Sequence, residues 1–365
     1  MPITFADIEA KYKKLMNISS DPDLLRICFA SFLANFVKGP PVWVIIIGPA
    51  SSGKTEMITV FEQSARAHIV SSITPAALLS FNNKSDSLLF AANHKVIIVK
   101  DMSTITQADK TEKGLLYGYL RDAYDGSFRR VSGAGVLDWE GKIGFLGAGT
   151  PIMESQSDFN SMLGERFLYL RMKSQPVNPT MDLIFTTGNT GRETLRASIH
   201  MDVQEFVDSW IYTKNVMPVV NYELLKQVSV AIASARALII RDYRDDSIIF
   251  PAECYESPIR LANALMRICN TAYSIGSTDF QVENILYRFL ADSVPLTRYR
   301  ILRFMVGTGN KPLRPGTIAK EVRLSAKKVQ RDIEDMCLLG LMKADPNETF
   351  SICNACVGES VRRNS

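Results

Sequence analysis

Gly48-Pro49-Ala50-Ser51-Ser52-Gly53-Lys54-Thr55 fits the pattern G-x-x-x-x-G-K-[ST], and its surroundings decide the fold. In front of it, Val42-Trp43-Val44-Ile45-Ile46-Ile47 is a short apolar, β-branched run behind the pair Pro40-Pro41, which reads as a buried parallel strand. Behind it, Glu56 to Arg66 carries apolar residues at Met57, Ile58, Val60 and Phe61, which suits a helix packed on a sheet. Strand, glycine loop and helix in that order are the context of a working phosphate-binding loop. Backbone N–H groups of such a loop, and the helix N-terminus beyond it, bind phosphate oxygens. Lys54 is expected on the β- and γ-phosphates of ATP and the Thr55 hydroxyl on Mg²⁺.

Working outward, Lys95-Val96-Ile97-Ile98-Val99-Lys100-Asp101 is a second strong strand that ends in a carboxylate, and Asp101 fits the role of Mg²⁺ ligand. Met102 follows it where many P-loop enzymes carry a glutamate that acts on water, so the string itself names no catalytic base. Residues 110–123 read as a helix, and Asp125 to Gly135 is a Gly-punctuated basic segment suited to a hairpin. Lys142 to Thr150 and Phe167 to Met172 are further core strands. The expected class is α/β with a parallel sheet.

From about residue 176 the apolar spacing turns helical, over Val203–Tyr212, Tyr222–Tyr243, Pro258–Tyr273 and Val282–Leu290. The last stretch has its own pattern. Tyr299–Val306 and Thr317–Val322 read as short helices, Arg323-Leu324 as a turn, and Ser325 as the N-cap of a helix running to about Leu339. A strand–turn–strand follows over 341–352, so the C-terminal part is expected to be a winged helix. Lys327, Lys328 and Arg331 fall outside the apolar stripe of its second helix, where they could meet DNA phosphates or base edges. A solvated face on a module that contacts protein is the plainer alternative. The expected domains are N-terminal helices with an ATPase core (1–175), a helical lid (176–295) and the winged helix with a short tail (296–365).

Charge supports that division. The chain of 365 residues carries +4 overall, but Thr297 to Asp345 holds eleven Lys/Arg against five Asp/Glu, a local +6. A mildly acidic body with a basic C-terminal module points to an anionic partner. The longest apolar run, Val42 to Ile47, is far short of the ~20 residues of a membrane span, and no signal-peptide pattern opens the chain. Six scattered cysteines suit a reduced, cytoplasmic protein; only Cys353 and Cys356 are close, and zinc would require two further ligands.

This order of features resembles the AAA+ ATPases. It is most similar to the branch with a pre-sensor hairpin that includes the minichromosome maintenance helicases, and to ATPases that phages and mobile elements use in DNA replication. The resemblance covers roughly residues 20–345. It implies that Thr150 is sensor 1 and that Arg166, in Leu163-Gly-Glu-Arg166-Phe167, is the arginine finger given to a neighbour's site, with Arg171 as the fallback. Arg260, in Glu256-Ser-Pro-Ile-Arg260, would be the sensor-2 arginine of the lid, and Phe128-Arg129-Arg130-Val131 the pre-sensor hairpin facing DNA. It further implies a homo-oligomeric ring, expected to be a hexamer, working with other replication proteins and away from membranes. The activity expected is that of a helicase, or of an initiator or loader for one. A nucleotide-switched DNA-binding regulator or scaffold is the alternative, since a slow hydrolase would suit a timer. A protein-remodelling chaperone fits the basic C-terminus less well.

Overall fold

A computed structural model of the chain describes residues 2–79, 87–103, 105, 109–132, 135–155, 163, 166–213, 221–242, 244–245, 247–250 and 257–364. They group into two units, one of residues 1–219 with 266–281 and one of residues 220–265 with 282–365.

In the first unit, Asn35 sets the strand that carries the phosphate loop. Its side-chain amide donates to the carbonyls of Ser31 (3.0 Å) and Val42 (3.1 Å) and accepts from the Val42 N–H at 2.7 Å. Those bonds fix the start of β1 (Trp43–Ile47), whose five residues are all buried. With β2 (Ala67–Val70), β3 (Val96–Val99), β6 (Gly144–Gly149) and β7 (Phe167–Arg171) it forms a parallel sheet in the order β2-β3-β6-β1-β7. A strand buried on both faces requires cover on both. Trp43, Ile45 and Ile47 face one core with Ile97, Val99, Phe145 and Phe167. After the short helices α4 (Pro75–Leu78) and α5 (Leu88–Ala91), Leu116, Leu120 and Tyr124 of α6 (Lys110–Asp125) close that side. Towards the other face, Phe29 and Phe32 of α2 (Leu24–Leu33) pack on Phe61, the Phe32 and Phe61 rings stacking at 4.0 Å.

The α/β class and the parallel sheet are as expected; several boundaries are not. The helix after the loop, α3, spans only Lys54–Thr59 instead of running to Arg66. Turns take over, with Glu62 N–H donating to Thr59 O and Ser64 N–H to Phe61 O, because Phe61 is held in the aromatic stack. Between α6 and β6, β4 (Ser127–Ser132) and β5 (Gly135–Glu140) pair antiparallel as the expected hairpin. After β7, α7 (Val177–Thr213) begins well before Val203 and breaks at Gly188, which takes φ +65°. It packs along α1 (Phe5–Leu15).

In the second unit, α8 (Tyr222–Arg236) stops seven residues short of the expected Tyr243. There the Arg298 guanidinium takes the carbonyls of Ala235 (3.1 Å) and Ala237 (2.9 Å), and the short strands β8 (Ile240–Arg241) and β9 (Ile248–Phe250) follow. The helices α9 (Ile259–Ser274), shared between the units in sequence, and α10 (Asp279–Ser293) come next. The C-terminal run is α11 (Leu296–Gly307), α12 (Pro315–Val322), α13 (Ala326–Leu338) and a hairpin of β10 (Met342–Ala344) with β11 (Phe350–Ile352). Ser325 caps α13, accepting from the Lys328 N–H, and Arg323 makes the preceding turn at φ +52°. A final helix, α14 (Ala355–Arg363), stands where only a tail was expected; Asn354 caps it through the Val357 N–H. Among the described residues no helix is long and apolar enough to cross a membrane.

Candidate nucleotide site

Sheet register aligns the candidate residues. Val99 pairs with Gly147, and Ile47 pairs with both Gly149 and Arg171. Past those strand ends the backbones stay joined: Met102 N–H donates to Ala148 O (2.8 Å), Gly48 N–H to Gly149 O (3.1 Å) and Met172 N–H to Ile47 O (2.7 Å). Asp101, Thr150 and Gly48 therefore leave three adjacent strands at one carboxyl edge. That edge of an open parallel sheet is where α/β proteins bind ligands.

Two residues of the loop lie in the left-handed region of backbone space. Ser51 and Gly53 both take positive φ, +58° and +90°. Such residues fold successive backbone N–H groups into an anion-binding concavity. Gly53 is also crowded, since a Cβ built there would sit 2.2 Å from Met16 Cε. Pro49, Ala50 and Ser51 are exposed, Ser52 and Gly53 half-buried.

Lys54 is buried, and its ammonium donates to the Pro49 carbonyl and to Ser52 Oγ at 3.4 Å. Burial holds its pKa below the ordinary lysine value, and the negative charge of Asp101 pulls the other way. Thr55 and Asp101 are exposed and Thr150 is half-buried. Asp101 Oδ1 accepts from Ser103 N–H at 2.8 Å. One carboxylate and one hydroxyl are the protein ligands Mg²⁺ needs when phosphates supply others.

Met102 points the other way. It is fully buried and packs under Gly147, whose built Cβ would meet Met102 Cγ at 3.1 Å. The position after Asp101 is thus a core position in this chain, which accounts for an apolar residue there.

Arg166 stands at the opposite edge. It precedes Phe167, which pairs with Trp43 at the start of β1. At ~3.3 Å per strand residue the length of β7 puts it roughly 16 Å from the loop. It pairs with Asp125 Oδ2 at 3.0 Å and lies over the Tyr124 ring; its side chain is 9% exposed. Its Nε has no hydrogen-bond partner among the described residues. Gly164 and Glu165 of its string lie outside the described residues. Arg171, by contrast, closes β7 level with Ile47, beside the loop.

On the hairpin, Arg129 pairs with Asp138 across the strands at 3.6 Å, both side chains being exposed. Arg130 lies over the Tyr119 ring, 5.4 Å from its centre. Arg260 is half-buried in the first turn of α9, in the second unit; Glu256 of its string lies outside the described residues. On α13, Lys327 is exposed, Arg331 is half-buried, and Lys328 pairs with the buried Asp332 at 2.7 Å. Arg298 and Asp335 pair inside this module at 3.4 Å and cancel, so the net charge of the module is carried by its other residues.

Sequence reading missed the surroundings of α3. Glu56, one residue past Thr55, receives two bonds from Arg196 of α7, Nε–Oε1 2.7 Å and Nη2–Oε2 3.0 Å. Nothing local signals that partner, which lies 140 residues away. Segments 17–21 and 173–180 also join beside the loop: Ser20 N–H donates to Gln175 Oε1, Lys173 N–H to Asp21 Oδ2, and Asn17 Nδ2 to Thr180 Oγ1, each at 3.1 Å. Compared with known proteins, the chain matches no family model and no curated sequence.

Proposed function

We propose that this chain is an ATPase subunit of a DNA-acting motor, a replicative helicase or an initiator or loader for one, belonging to the AAA+ type. One observation carries the reading: the glycine loop, Asp101 and Thr150 leave adjacent strands at one sheet edge, while Arg166 stands at the other. In this reading the loop N–H groups and Lys54 bind the phosphates, and Thr55 and Asp101 hold Mg²⁺, which offsets phosphate charge. Thr150 contacts the γ-phosphate region or the attacking water. Arg166 cannot reach its own loop across the sheet, so it serves the loop of a neighbouring copy, and the active form is a ring for which a hexamer is expected. In such an assembly it would exchange Asp125 for the phosphate of the next subunit, and its unpartnered Nε would gain an acceptor.

The C-terminal elements fit a winged helix that meets DNA through Lys327 and Arg331, Lys328 being held by Asp332, with the β4–β5 hairpin as a second contact through Arg129 and Arg130. Arg260 would act from the lid as sensor 2. Buried Met102 favours a second reading, a nucleotide-controlled DNA-binding switch with slow hydrolysis, because the usual position of a base is closed to solvent.

ATP turnover measured with and without single-stranded and forked DNA, together with strand displacement, tests the proposal. A motor shows DNA-stimulated turnover and unwinding. DNA binding with neither supports the switch, and no DNA binding at low salt contradicts both.

A further inference from the structure

The helix that follows the phosphate loop is too short to hold its own place. With six residues, α3 has fewer than two turns, and a helix that short has no stability in isolation. Its position must come from its neighbours. The strongest polar neighbour is Arg196, whose guanidinium grips Glu56 with two bonds of 2.7 and 3.0 Å. Paired bonds from a planar guanidinium fix orientation as well as distance.

Arg196 is itself anchored. Its helix, α7, is tied to α1 by Lys11, which reaches Asp202 and donates to Ser198 Oγ at 3.0 Å, and by Arg192, which donates to the Leu15 carbonyl at 2.8 Å. The end of α1 in turn delivers Met16 onto Gly53. Buried Tyr12 of α1 couples electrostatically to both Glu56 and Arg196. The two long helices thus form a frame, and Arg196–Glu56 is its ionic joint to the short helix bearing Lys54 and Thr55.

We infer that Arg196 is a positioning residue for nucleotide binding: through Glu56 it sets the placement of Lys54 and Thr55 against the phosphates. The inference rests on the ATPase reading above and adds to it a residue that touches neither nucleotide nor metal. A loop that grips the phosphates equally before and during reaction contributes uniform binding, so loosening it raises KM and leaves kcat alone.

The test is steady-state hydrolysis of Mg²⁺-ATP by the full chain, with binding of a fluorescent ATP analogue measured in parallel. Arg196→Ala and Glu56→Ala are each expected to raise KM and the analogue Kd about tenfold, with kcat within about twofold. Arg196→Lys, which keeps the charge and one bond, falls between. The exchange Glu56→Arg with Arg196→Glu recovers most of the loss. Lys142→Ala, which removes the 2.7 Å bond to the Val37 carbonyl at the far end of the sheet without touching α1, α3 or α7, lowers Tm but leaves KM within about twofold of the parent. A normal KM in Arg196→Ala overturns the inference, as does an equal KM rise in Lys142→Ala, which would make the effect one of general stability. Should the unaltered chain fail to bind the analogue at all, the ATPase reading fails first and this inference with it; binding by the unaltered chain with no change in the variants overturns the inference alone.

Discussion

Arg166 and Asp125 form a 3.0 Å ion pair at the sheet edge remote from the phosphate loop, with the arginine side chain 9% exposed. In the proposed shared site, Asp125 would be the resting partner of an arginine that serves a neighbouring copy. Arg166→Ala is therefore expected to leave ATP binding intact and to lower turnover per site by about 10³–10⁵-fold, the range seen when an arginine finger is removed. Asp125→Asn, which frees the guanidinium without removing it, should keep turnover within about an order of magnitude of the parent. Single-turnover hydrolysis and analogue binding, measured at saturating protein, check both.

Lys54 gives a prediction that separates stability from function. Burial lowers its pKa from 10.5, so in the window below that value the unfolded chain binds more protons than the folded one. Stability then rises with pH through that window, and the cost of the buried charge is fully present below the folded pKa. Lys54→Met removes the charge with similar volume. It is expected to abolish nucleotide binding, to unfold at a Tm no lower than the parent at pH 7.5, and to lack the parent's rise in Tm towards pH 10. Thermal melts across that range provide the comparison; a variant less stable at every pH would contradict the assignment of the cost to Lys54.

Lys327 and Lys328 are neighbours with different work. Lys328 is committed to Asp332, which is 3% exposed, whereas Lys327 faces solvent. Lys327→Ala should reduce the slope of log K against log salt for DNA by about 0.9, one phosphate contact, with little change in Tm. Lys328→Ala should lower Tm more than it alters the slope. Salt titrations of DNA binding alongside melts decide the matter; equal slopes in the parent and Lys327→Ala would take Lys327 off the DNA.

Asp335 is the common acceptor for two arginines inside the second unit, Arg241 at 2.7 Å and Arg298 at 3.4 Å. Removing it leaves two guanidinium groups without that counter-charge in a low-dielectric setting. Asp335→Ala should cost about 3–5 kcal/mol of unfolding free energy, read from denaturant titrations. Replacing Arg298 and Asp335 together by Met and Leu should recover much of it, because an apolar pair needs no desolvation of charge.

The residues that sequence alone exposes are those whose chemistry is local. The glycine loop, the strand before it and Asp101 after Val99 follow from a motif and from apolar runs that only a buried parallel strand satisfies. The Ser325 cap and the Arg323 turn were legible for the same reason, being set within a few residues. What stayed hidden depends on distant partners. α3 ends early because Phe61 is held by Phe29 and Phe32, and α8 ends early where Arg298, some sixty residues on, takes its last carbonyls. Arg196 was invisible because nothing near residue 196 or residue 56 announces the other. Met102 could be noted as a departure, but only the packing beneath Gly147 explains it.

The most direct test of a site shared between copies is complementation of two damaged chains. Lys54→Ala retains Arg166 but lacks a working loop, and Arg166→Ala retains the loop but lacks the donor. Each alone is expected to be inactive in ATP turnover, and an equimolar mixture to regain a substantial share of parental activity, since one of the two kinds of mixed interface pairs an intact loop with an intact Arg166. A mixture as inactive as its parts, or full turnover by Arg166→Ala alone, would contradict the account.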